Sequence, residues 1–150
     1  MTKKTLIIAF GLLVIVAASG FSLGLGLAFG LPFGDSPGDS NVMFSAKLDE
    51  LPFLLGLSYD LEGTFRLGLT ADWWLATGNL TGPINYYLGP GLYGGISGES
   101  FDIGLRVPIG LNIYPIPELE LFLEVAPALP FFPNFPRPFA QAAAGFRFWF

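Results

Sequence analysis

The sequence predicts an all-β fold: an eight-stranded antiparallel up-and-down transmembrane β-barrel over residues 21–150, following a cleaved signal peptide at residues 1–20. Three observations carry the expectation. Apolar residues recur with period two in eight successive segments, the periodicity of a strand with two unlike faces. Hydrophobic residues make up 52% of the chain, yet after the N-terminus no stretch of ~18 or more residues runs free of Gly, Pro and charge, so the apolar content is not spent on membrane helices. The chain ends Gly145-Phe146-Arg147-Phe148-Trp149-Phe150, an alternation that stops on an aromatic carboxyl terminus.

The leader comes first. Lys3 and Lys4 form a basic start, Leu6 to Ala18 an apolar run of 13 residues, and Ala17-Ala18-Ser19-Gly20 offers small residues for cleavage. A membrane anchor helix is the competing reading; the run is short for a ~30 Å hydrocarbon core and passes straight into Gly-alternating sequence that a helix tolerates poorly. Without the leader, 5 basic side chains face 12 acidic ones, an acidic balance that argues against nucleic acid as a partner.

The first segment, Phe21 to Phe33, places Phe and Leu at odd positions against Ser22, Gly24, Gly26, Ala28 and Gly30. A turn-rich stretch containing Asp35 and Asp39 follows. The second segment sets Val42, Phe44, Ala46 and Leu48 against Met43, Ser45 and Lys47, and the third, Phe53 to Leu61, turns Phe53, Leu55, Leu57 and Tyr59 one way. The fourth, Phe65 to Leu75, opposes Phe65, Leu67, Leu69, Ala71 and Trp73 to Arg66, Gly68, Thr70, Asp72 and Trp74. The fifth runs from Ile84 to about Ile96. In the sixth, seven apolar residues from Phe101 to Ile113 alternate with Asp102, Gly104, Arg106, Pro108, Gly110 and Asn112. The seventh, Leu119 to Val125, presents leucines on one side and Glu120, Phe122 and Glu124 on the other; the eighth is the C-terminal run. Pro90 and Pro108 mark expected bulges or bends, since proline cannot donate to a ladder.

Which face is inside follows from size. The lumen of an eight-stranded barrel is just wide enough for side chains. The bulky Leu, Phe and Ile set does not fit there, and it carries no charge in any segment, so it faces lipid; the Gly, Ser, Ala and ionic set faces inward. A soluble carrier would have the opposite polarity. The lumen set holds Lys47, Arg66, Asp72, Asp102, Arg106, Glu120, Glu124 and Arg147, which are expected to form an ionic network across the barrel, because charges in a dry lumen must pair. The favoured role of this network is a plug of salt bridges; an ion path or gate is the alternative.

Catalysis finds little support. The chain has no histidine and no cysteine, which removes the commonest general base and the thiolate nucleophile or metal ligand. Glu120 and Glu124 stand four residues apart on one face of a strand, roughly 13 Å between Cα atoms at ~3.3 Å per residue, wider than the ~5–9.5 Å of a glycosidase pair. The glycines from Gly24 to Gly34 lack the ending of a phosphate loop and leave space for the larger charged residues opposite. No enzyme, metal site or cofactor is expected. The stretch Leu129 to Phe139 is apolar for a connection, and Phe131, Phe132, Phe135 and Phe139 either anchor a membrane rim or contact an unknown surface partner.

The closing alternation, with its terminal Phe, resembles the last strand of small eight-stranded bacterial outer-membrane barrels of the outer-membrane protein A and X type. The resemblance covers residues 21–150 and implies an integral outer-membrane location, lipid as the surrounding partner, and Phe146, Phe148 and Phe150 as the signal read by the barrel-assembly machinery during insertion. It also implies both termini in the periplasm, with links near 35–41, 61–64, 97–100 and 129–139 outside and those near 49–52, 76–83 and 114–118 inside. A structural or interaction role without catalysis is the leading function, and a narrow channel for small or apolar solutes is the second.

Overall fold

A computed structural model describes residues 22–31, 41–49, 51–60, 66–98, 100–133 and 138–150. The leader, Asp35, Asp39 and Phe135 lie outside the described residues. The chain forms β1 (Leu23–Leu31), β2 (Asn41–Leu48), β3 (Phe53–Asp60), β4 (Arg66–Trp73), β5 (Ala76–Thr81), β6 (Ile84–Leu88), β7 (Gly91–Ser97), β8 (Ser100–Arg106), β9 (Ile109–Ile116), β10 (Leu119–Phe132) and β11 (Phe139–Trp149). Segments β4 and β5, β6 and β7, and β8 and β9 are each one strand interrupted by two residues, so eleven segments make eight barrel strands. All pairings are antiparallel, and β11 pairs with both β10 and β1, which closes the sheet.

The three interruptions fall in one row. Trp73 N–H donates to the Pro90 carbonyl at 2.8 Å, Gly89 N–H to Pro108 at 3.3 Å and Val107 N–H to Pro127 at 2.9 Å. Each proline lacks a donor but still accepts, so neighbouring strands tolerate one proline apiece where all of them line up. The bends expected at Pro90 and Pro108 are therefore one shared dislocation. A Cβ at Gly89 would run into the Trp73 carbonyl oxygen, which explains the glycine at this close approach.

Stagger is read from the register. The cross-strand neighbours of Trp149 run through Gly24, Lys47, Leu54, Asp72, Gly91, Arg106 and Ala128 to Phe139, ten residues further up the strand that holds Trp149. Ten residues of stagger over eight strands, at ~3.3 Å per residue and ~4.8 Å between strands, tilt the strands by about 41°, within the range that closes a barrel of this size.

The facing is as the alternation requires. Leu55, Leu69, Leu105, Ile109 and Leu123 are exposed on the outer wall, whereas Met43, Ser45, Lys47, Leu54, Asp72, Arg106, Glu120, Phe122, Glu124 and Arg147 are buried inside. No charged side chain stands on the outer face of a described strand.

Several limits differ from the sequence reading. The expected link at 76–83 is mostly strand β5, closed by a turn at Gly82-Pro83 with Gly82 at φ 52°; β9 continues to Ile116, leaving a turn at Pro117-Glu118. Alternation was a poor guide here because the paired residues Thr77, Asn79 and Asn85 are polar and face an open mouth of the barrel. At the other end, β10 runs to Phe132 instead of stopping at Val125. Phe131 and Phe132 are thus the end of a strand, exposed on the wall, and Phe132 lies 6.0 Å from the Phe101 ring. Phe139 opens β11 and packs edge-on against the lumen residue Tyr93, with ring centroids 5.7 Å apart, so it belongs to the lumen mouth and not to an outward contact loop.

The lumen charge layers as candidate functional site

All eight lumen charges take the positions that the alternation assigned, and they sort into layers along the axis. Nearest the mouth where β4 begins, Arg66 Nη2 lies 3.3 Å from Asp102 Oδ1, with both side chains more than a quarter exposed. Solvent screening keeps such a pair weak.

The middle layer is buried. Arg106 joins Glu124 through an Nη2 to Oε1 ion pair, stands with Nε 3.1 Å from Asp72 Oδ1, and donates from Nη1 to Gln141 at 3.3 Å. The Asp72 contact is an ion pair without hydrogen-bond alignment, since neither its carboxylate oxygens nor Arg106 Nε have a bonded partner among the described residues. Tyr87 donates to Glu124 Oε2 at 2.9 Å. One guanidinium therefore serves two carboxylates.

In the third layer Arg147 donates from Nη1 to Glu120 Oε1 at 2.7 Å and from Nε to Ser45 at 3.2 Å. Glu120 also accepts from Asn112 at 2.8 Å and from the Trp149 indole at 3.1 Å. The guanidinium stands over the Phe122 ring at 4.2 Å, adding a cation–π contact in a desolvated place. Lys47, below it, bonds the Leu48 and Leu51 carbonyls and lies 5.0 Å from the Trp74 ring and 5.5 Å from that of Trp149.

Glycine makes these meetings possible. Asp72, Gly91 and Arg106 are successive cross-strand neighbours, and so are Tyr87, Gly110 and Glu124, and likewise Arg147, Gly26 and Ser45. In each trio the flanking side chains reach one another across the glycine. A Cβ on Gly91 would lie 3.0 Å from Arg106 Cγ and collide with the Asp72 carboxylate; one on Gly110 would enter the Tyr87 ring. The space-making role expected of the glycines from Gly24 to Gly34 is met at Gly26, and the register adds Gly91 and Gly110 and the contact that each permits.

Two small cavities lie between the Arg66–Asp102 pair and the middle layer. One of about 40 Å³ is lined by Arg66, Asp102 and Tyr93; a second of the same size touches Arg106 and Glu124, and the two share Asn41, Ser58, Thr70 and Gln141. Each holds little more than a water or two. Toward the carboxyl-terminal end the lumen widens to about 380 Å³. Sequence reasoning missed Tyr87, Asn112, Gln141 and Ser45 as partners of the charges; their inward parity was the available signal.

No protein-family model matches the chain, and a comparison with curated protein sequences finds no match. Among solved structures, the chain is similar to the crystal structure of Neisserial surface protein A, with a TM-score of 0.51 and 17% identity, over 87% of this chain and 97% of that one. The likeness shows the fold. This chain is a closed eight-stranded antiparallel barrel, the fold it shares with Neisserial surface protein A.

Proposed function

We propose that the protein is an integral outer-membrane barrel with a structural or interaction role, a lumen plugged by its own side chains, and no catalysis. The observation that carries the reading is the middle layer. Arg106, Asp72, Glu124 and Tyr87 fill the cross-section between a cavity of about 40 Å³, too small for a solute, and the wider carboxyl-terminal end of the lumen. Support for the location comes from the uncharged outer wall and from the barrel fold shared with Neisserial surface protein A. Purified protein in planar bilayers tests the plug: wild type is expected to give no stable conductance, and Glu124→Ala none either. Stable openings in the wild type overturn it.

One observation favours a narrow conduit instead. The cavity touching Glu124 and the wide end touching Tyr87 approach one hydrogen bond from opposite sides. A large rise in conductance on removing Glu124 would make the gated channel the first reading.

A further inference from the structure

Segments β5 and β6 and the end of β9 run past the turn between β2 and β3. Trp74 N–H bonds the Pro52 carbonyl at 2.8 Å, next to the start of β3, and β5 continues to Thr81 beyond that point. The lumen-facing side of this extension forms one wall of the cavity of about 380 Å³ at the carboxyl-terminal end; Lys47, Asp49, Trp74 and Trp149 form the rest. The volume lies within the ~300–1,000 Å³ of small-molecule sites.

The wall has a definite chemistry. Asn79, Asn85 and Asn112 are successive cross-strand neighbours, three amides in a row over three segments. Asn79 donates to the Gly82 and Ile84 carbonyls and to Asn85 Oδ1, and Asn112 donates to Glu120. Among the described residues, Asn85 Nδ2 is left as a donor, and Asn79 Oδ1 and Asn112 Oδ1 as acceptors. Tyr114, 41% exposed, stands beside the row. Trp74 is 8% exposed, and its buried indole N–H has no acceptor among the described residues. Lys47 has no carboxylate within ion-pair distance among the described residues.

We propose that this cup binds a pyranose sugar bearing a carboxylate. Sugar hydroxyls donate and accept at once, which suits a row of amides offering both; a pyranose C–H face packs on an aromatic ring such as Tyr114; and an anionic substituent would meet the Lys47 ammonium. A lipid tail would leave the amides unpaired, which is costly. That the sugar is drawn from the periplasm rests on the outer-membrane reading above; that the cup binds it does not.

The test uses the full mature chain refolded in a zwitterionic detergent without sugar headgroups, with N-acetylmuramic acid and the uncharged N-acetylglucosamine as probes. Two of the three tryptophans, Trp74 and Trp149, line the cup, so intrinsic fluorescence reports occupancy. N-acetylmuramic acid is expected to give a saturable change at millimolar concentration, weakened about tenfold by Asn85→Ala, close to 1.4 kcal/mol, and also weakened by Tyr114→Leu. N-acetylglucosamine is expected to bind at least about threefold more weakly. Heat-modifiable migration in electrophoresis identifies variants that have folded. No saturable change in the wild type, an unaltered curve in both folded variants, or equal binding of the two sugars would overturn the proposal. Failure to find the protein in the outer membrane would overturn the location and leave this binding result standing.

Discussion

Tyr87 and Glu124 are hydrogen-bonded at 2.9 Å although a whole segment, β9, lies between their strands; Gly110 is the residue of β9 that separates them. The bond exists because Gly110 offers no side chain, and the same device joins Asp72 to Arg106 over Gly91.

Gly110→Ala and Gly91→Ala are therefore expected to destabilise the barrel by about 1–3 kcal/mol each, the usual cost of forcing an extra methyl into a packed interior. Gly94→Ala is the control: its Cβ would stand 3.7 Å from the nearest atom, an ordinary contact. Urea unfolding in lipid vesicles, followed by tryptophan fluorescence, separates the three. Equal stability of all of them would break the link between these glycines and the buried pairs.

Arg106 answers to two carboxylates, so the middle layer behaves as a triad. Arg106→Met alone leaves Asp72 and Glu124 unneutralised and is expected to cost about 3–5 kcal/mol. The triple change Asp72→Leu, Arg106→Met, Glu124→Leu is expected to cost less than that single one, because no charge is stranded. A double-mutant cycle between Arg106 and Glu124 should give at least ~1 kcal/mol of coupling, and one between Arg147 and Glu124, which have separate partners, less than ~0.5 kcal/mol.

Leu105 and Ile109 are half exposed on the outer wall, flanking the break at Val107-Pro108. Arg at either position should cost about 2–4 kcal/mol near a bilayer midplane. Refolding yields and unfolding midpoints in vesicles measure it, and unchanged values at both sites would mean that this wall does not face lipid.

Cell fractionation checks the location. The protein is expected in the outer membrane as a heat-modifiable band whose N-terminal sequence begins after about residue 20, as leader length implies. Recovery in the soluble periplasm would reject the assignment.

Alternation along the chain decided a great deal. In a strand the side chain's face depends only on parity, so once the Leu, Phe and Ile set was too bulky for an eight-stranded lumen, Asp72, Arg106, Glu120, Glu124 and Arg147 had to point inward. The closing strand and the direction of the eight lumen charges were legible for the same local reason, and the bends at Pro90 and Pro108 because proline cannot donate to a ladder. Partner choice was not. Whether Arg147 meets Glu120 or Glu124 depends on the register between β10 and β11, which sets Glu120 opposite Arg147, and on the ten-residue stagger around the barrel. Strand ends also escaped: Leu129 to Phe132 reads as a proline- and phenylalanine-rich loop, yet Leu129 and Pro130 pair with Leu105 and Gly104 on β8, and Ala128 and Pro130 are buried inside. Parity is a property of one strand. Register and stagger belong to the closed barrel, so only the tertiary structure could decide that Arg106 serves both Asp72 and Glu124 while Arg147 serves Glu120.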